Sequence, residues 1–160
     1  MHFDKETLLT SFRTVPEIIE DYFKNIPAEY LDKKRSEQAW TIREHLYHIV
    51  SVQEMLLKRI NTIKEENTPV IKPYFPENEP DRQKLFDSIE EALDIYKNFR
   101  SKQIELINEL SNAELDKEAH HNEYISYNIP IIINHMIFHE YWHMYRIEEL
   151  WLTRDAYFNS

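Results

Sequence analysis

Asn134–Leu150 reads NHMIFHEYWHMYRIEEL, and the spacing of its histidines organises the reading of the whole chain. Residues four apart on an α-helix differ by about 40° around the axis and stand one above the other. His139 and His143 are so placed and can grip one metal ion. Two ligands do not complete a protein metal site, which takes three or four, with a further position open to water when the site is catalytic. A third ligand must come from elsewhere, and the rest of the chain reads as the scaffold that brings it.

Upstream, four amphipathic segments follow one another. Over Glu6–Asn25 the apolar residues Leu8, Phe12, Val15, Ile19 and Phe23 recur at steps of three and four, one face of a helix. Pro16 removes a hydrogen bond and crowds the preceding turn, which predicts a kink there or a new start at Thr14. Thr41 with Glu44 three residues on is a capping box, and the helix it opens carries Ile42, Leu46, Ile49, Val50, Leu56, Leu57 and Ile60 to about Lys64. The segment NTPVIKPYFPENEP holds four prolines in fourteen residues, so it is an extended connection, as long as loops in compact domains usually become. Asp81 is the expected cap of a third helix with Leu85, Ile89, Ala92, Tyr96, Phe99, Gln103, Leu106 and Leu110 on one face. SNAELDK (111–117) is a short capped turn, and Asn128 followed by Pro130 opens the fourth helix in the order of cap, then early proline. With no run of alternating strand residues and no internal repeat, the pattern predicts an all-α fold: one domain over 1–160, an antiparallel four-helix bundle with a long loop between helices 2 and 3.

Composition narrows the function. The chain has 29 acidic and 19 basic residues, a formal charge of −10, which repels a phosphate backbone and argues against nucleic acid as a partner. It has no glycine, which rules out the glycine-rich phosphate loops of nucleotide enzymes. It has no cysteine, which rules out disulfides, thiolate nucleophiles and zinc-thiolate fingers. No segment approaches the roughly 20 apolar residues of a membrane span, and the expectation is a soluble cytoplasmic protein.

Of eight histidines, His2, His120 and His121 fall in polar, irregular stretches and read as solvated side chains. His135, His139 and His143 form a stripe at four-residue spacing, and His45 and His48 lie one turn apart on the second helix. A lone histidine on such a face is usually a hydrogen-bonded core residue. Five of them on two helices point to a shared cation, since burying so many ionisable rings without a partner is costly. Spacing leaves open whether His139 pairs with His135 or with His143. HEYWH also matches the HExxH metalloprotease motif, with Glu140 as general base. The extended form of that motif needs glycine at Arg146 and histidine at Glu149, and neither is present. For Glu44 the capping role is preferred to support of a ligand.

WTIREHLYHI (40–49), followed some ninety residues later by HEYWHMYRIEEL (139–150), resembles the paired signatures of the DinB-like superfamily, which includes bacterial thiol transferases. The resemblance implies a four-helix bundle, commonly dimeric. It also implies a divalent metal, zinc or nickel, held by His48, His139 and His143. The implied activity is transfer of a low-molecular-weight thiol to an electrophile, or hydrolysis, by a metal-activated thiol or water. The implied partners are a small-molecule substrate and a second copy of the chain. The alternative is a non-enzymatic metal-binding or dimerising helical protein with a structural or vestigial site. Where family members often have glycine and glutamine after the last histidine, this chain has Tyr145 and Arg146. The larger side chains predict a narrower pocket beside the metal, or one that prefers an anion if Arg146 faces it.

Overall fold

The computed structural model describes residues 4–75, 84–154 and 156. Its helices are α1 (Lys5–Asn25), α2 (Ile42–Ser51), α3 (Gln53–Glu65), α4 (Ile89–Glu109), α5 (Asn112–Leu115) and α6 (Ile129–Leu152). A 3-10 turn spans Ala28–Tyr30, and two short strands are β1 (Val70–Ile71) and β2 (His120–His121). The long helices make a four-helix bundle. α1 packs on α4 and α6, α2 packs on the same two helices from the other side, and α3 continues α2 against both. α1 and α2 are therefore diagonal to each other, and the metal-spaced faces of α2 and α6 are neighbours.

α1 starts at Asp4, whose carboxylate accepts from Thr7 N. It buries the expected stripe of Leu8, Phe12, Val15, Ile19 and Phe23. It runs through Pro16 as one helix rather than restarting at Thr14. Proline deprives the carbonyl four residues earlier of its donor, here that of Phe12. Arg100 of α4 supplies the missing donor, its Nη1 lying 3.2 Å from Phe12 O. The proline is thus compensated from a neighbouring helix.

The capping box Thr41/Glu44 is formed in full, so Glu44 has the predicted role of a cap. The expected single second helix is divided at Val52 into α2 and α3. The side chains next to the break explain it: Ser51 Oγ donates to His48 O at 3.0 Å and Gln53 Nε2 donates to Ile49 O at 2.8 Å. Side-chain donors to carbonyls of the preceding turn compete with the helical ladder and bend it.

α4 begins later than its apolar stripe. Ser88 is its cap, accepting from Glu91 N, and Leu85 packs on the core from outside the helix. The expected cap Asp81 lies outside the described residues, as does His2. α5 carries a second complete capping box, Ser111/Glu114, on the predicted capped turn. Asn128 caps α6 with Pro130 in its first turn, as the sequence indicates.

The strands add something the periodicity does not contain. β1 pairs in parallel with β2, Val70 opposite His120 and Ile71 opposite His121. This joins the proline-rich connection to the segment that leads into α6. Lys117 Nζ donates to the carbonyl of Lys64 at 2.6 Å, tying the same segment to the end of α3. Among the described residues no helix is long and apolar enough to cross a membrane.

Candidate metal centre

His48 sits in the last turn of α2, and His139 and His143 lie one turn apart on α6. His48 is 3% and His143 1% exposed, and His139 is half-buried. His48 Nε2 lies 3.2 Å from His139 Nε2, and His143 Nε2 lies 3.1 Å from the same atom. One ligand atom from each of the three falls within 4.8 Å of the others. Nitrogens bound at 2.0–2.1 Å to a tetrahedral ion stand roughly 3.3 Å apart. The observed separations therefore suit a single small ion, and three imidazoles without a carboxylate suit zinc or a similar borderline metal.

The geometry separates the two pairs that spacing alone leaves equivalent. His135 does not join the Nε2 cluster. Its Nδ1 lies 2.9 Å from the hydroxyl of Tyr124, and its ring stacks parallel to that of His139 at 5.9 Å. His45, one turn before His48, is 5% exposed and places Nδ1 2.8 Å from His143 Nδ1. An imidazole that turns Nε2 to a metal carries its proton on Nδ1, so His143 donates to His45 in that state. His45 thereby fixes the tautomer and ring orientation of His143.

Trp40, the residue before the cap, closes over the set. Its ring stacks on His143 at 5.6 Å and 13° and stands 5.1 Å from that of His48. Trp142 meets His143 edge-on at 4.8 Å. These rings cover His143, which is 1% exposed.

Glu140, the glutamate of HEYWH, turns away from the histidines into the core and is 0% exposed. It accepts from Arg100 Nη2 and from Gln53 Nε2 at 3.1 Å, and Gln103 Nε2 donates in turn to Gln53 Oε1 at 3.1 Å. Burial pushes its carboxyl up, and Arg100, Tyr96 and Gln53 pull it back. A carboxylate held this way is no general base for chemistry at His139, which disposes of the metalloprotease reading on structural grounds.

The open side of the set is a cleft of about 220 Å3 floored by His48 and His139. Val52, Met55, Leu56 and Arg59 of α2–α3 form one wall. Tyr74 of the connection and His121, Glu123, Tyr124 and Tyr127 before α6 form the other, with His135 at its mouth. His121 corrects the solvated reading: β2 buries it at 4% exposure, while His120 beside it faces outward. Desolvation, and then the charge of Arg59, hold His121 below the ordinary histidine range.

Arg59 and His121 were not marked by the sequence pattern. A signal for Arg59 exists in hindsight, since His48, Val52, Met55 and Arg59 follow one helical face. For His121 there is none, because the β1–β2 pairing that turns it inward joins segments some fifty residues apart.

The residues after His143 do not narrow this cleft. Tyr145 is 57% exposed. Arg146 donates to Glu149 and lines a different depression, about 230 Å3, with Trp40, His45 and Trp142. A further cleft, about 290 Å3, lies at the starts of α1 and α6. It contains none of the five histidines of α2 and α6, and its size alone gives it no chemistry.

A family model described as the DinB superfamily matches residues 11–152. A protein of Oceanobacillus iheyensis named as a candidate metal-dependent hydrolase is 23% identical over 150 residues, covering 92% of this chain and 86% of the relative. Among solved structures, YfiT of Bacillus subtilis is described as a candidate metal-dependent hydrolase with an unusual four-helix bundle topology. It superposes with a TM-score of 0.80 at 17% identity, covering 91% of this chain and 85% of that one. A DinB-like protein of Bacillus subtilis, YjoA, superposes with a TM-score of 0.59 at 15% identity, covering 90% of this chain and 89% of the other. At these identities the two structures speak for the fold.

Proposed function

The chain belongs to the DinB superfamily, and we propose that it is a metal-dependent hydrolase of a small molecule, with a divalent ion held by His48, His139 and His143. The observation that carries this reading is the approach of His48 Nε2 and His143 Nε2 to His139 Nε2, at 3.2 and 3.1 Å, beside a cleft lined by His48 and His139. The name of the Oceanobacillus relative supports it. A divalent ion bound by three neutral imidazoles keeps its full charge, acts as a Lewis acid and makes water or a thiol nucleophilic near neutral pH. Thiol transfer is the variant of the same reading in which a low-molecular-weight thiol takes the place of water.

The chain's own residues have defined tasks in this scheme. His45 holds Nδ1 of His143 and so keeps its Nε2 directed at the set. Trp40 excludes water from the side of α2, leaving the cleft as the approach for substrate. A second copy of the chain is part of the proposal: α6 presents Phe138, Tyr141, Trp142 and Tyr145 at 41–65% exposure, a row of aromatics suited to a homodimer interface.

Metal content of the purified, tag-free protein, measured by mass spectrometry beside His143→Ala and His135→Ala, tests the reading. One zinc or nickel per chain in the wild type and in His135→Ala, and none in His143→Ala, is the expected result. Stoichiometric metal in His143→Ala refutes the ligand set. A loaded protein with no hydrolase or thiol-transferase turnover across a substrate panel favours a structural site instead.

A further inference from the structure

We propose that the cleft beside His48 and His139 takes a small substrate with a carboxylate on a planar aromatic or acyl body, and that Arg59 receives the carboxylate. The inference rests on the reading of the three histidines as the reaction centre. Arg59 is held rather than extended: Nη1 donates to Tyr127 Oη at 2.9 Å and Nη2 to Lys72 O at 2.7 Å. A guanidinium has five N–H donors in a fixed fork, so these two bonds orient the group and leave donors over.

Among the described residues Arg59 has no carboxylate within ion-pair distance, unlike four other arginines of the chain. Arg43 is paired with Asp32, Arg100 with Glu140, and Arg35 and Arg146 both reach Glu149. That last pair faces the other depression, and Glu149 already satisfies much of its charge.

The neighbours of Arg59 also donate. His121 Nδ1 accepts from Glu123 N at 3.1 Å, so the proton of the neutral ring is on Nε2. Tyr127 accepts from Arg59 and keeps its own O–H. Such donors match a carboxylate, the anion that arginine binds in bidentate fashion. Tyr74, Tyr124, Met55 and Leu56 supply flat and apolar surface for the rest of the molecule. At about 220 Å3 the cleft falls below the roughly 300–1,000 Å3 of drug-sized sites, which limits the substrate to a small one. Burial first, and then the charge of Arg59, lower His121 on the opposite wall, with the nearby Glu123 acting against them. On a chain of net charge −10 an anion requires such a local cation.

The test is titration of the full chain, zinc-free after chelation and zinc-loaded, with phenylacetate and with phenylacetamide. Zinc stoichiometry is measured on the same samples. The wild type is expected to bind the acid about tenfold more tightly than the amide in both forms. Arg59→Gln is expected to bind the two alike, and Arg59→Lys to keep part of the preference, which separates lost charge from lost fold. Equal binding of acid and amide by the wild type, or no binding of either, overturns the proposal. So does a preference that survives in Arg59→Gln, including one seen only with zinc, which places the carboxylate on the metal. Zinc bound without any preference for the acid refutes this inference and leaves the metal reading standing. An Arg59-dependent preference in a chain that takes up no zinc supports it and refutes the metal reading.

Discussion

Replacing Arg100 with methionine tests how the bundle tolerates both a proline in α1 and a carboxylate beside the metal-spaced histidines. Arg100 is 2% exposed, donates to Glu140, Phe12 O and the Tyr96 hydroxyl, and lies 3.6 Å over the Phe12 ring. Removing one member of a buried ion pair costs about 3–5 kcal/mol. The Phe12 carbonyl, left without a donor because residue 16 is proline, adds about 1–3 kcal/mol. Protonation of Glu140 and the apolar packing of methionine offset part of this, so the expected net loss is about 3–5 kcal/mol. For a chain of this size that lowers Tm by about 6–20 °C.

The assay is urea and thermal unfolding of the wild type, Arg100→Met, Pro16→Ala and the double variant. Alanine at position 16 returns an N–H to the Phe12 carbonyl. Arg100→Met is therefore expected to cost about 1–3 kcal/mol less in the Pro16→Ala background. Equal costs in both backgrounds refute the claim that Arg100 replaces the proline's missing donor. A cost below about 1 kcal/mol in the wild-type background refutes the importance of the buried pair.

Further outcomes follow from other contacts. His45→Ala removes the partner of His143 Nδ1 and is expected to weaken zinc binding about 10- to 100-fold with the stoichiometry unchanged; competition with a chromophoric chelator measures it, and unchanged affinity refutes the orienting role. His121 is depressed in the folded state relative to an ordinary value near 6.5, so the unfolded chain binds more protons. Its contribution is present above pH 6.5 and is lost as pH falls from there through the folded value. His121→Gln should flatten that segment of the stability profile from urea midpoints, and an unchanged slope refutes the assignment. Phe138→Ser with Tyr145→Ser is expected to convert a dimeric wild type to monomer in sedimentation velocity, and a monomeric wild type refutes the proposed interface.

Local signals in the chain determined most of the secondary structure. The caps at Thr41, Ser111 and Asn128 and the stripes of α1, α2 and α6 depend on residues within a few positions of each other, where hydrogen-bonding groups and periodicity are legible. The resemblance of residues 40–49 and 139–150 to a known family singled out His48, His139 and His143 from five histidines. In the structure His48 Nε2 and His143 Nε2 lie 3.2 and 3.1 Å from His139 Nε2.

Only the tertiary structure decided which polar residues are inside. Arg100 continues the buried face of α4 at the spacing of Tyr96 and Gln103, yet a charged residue reads as solvated until a partner such as Glu140 is placed against it from another helix. Arg59 and His121 depend likewise on the β1–β2 pairing and on Tyr127, which bring distant segments together over the cleft. Periodicity reports how a side chain is directed on its own helix. It carries no information on what meets that side chain from another element, and for buried polar groups that partner is what makes burial affordable.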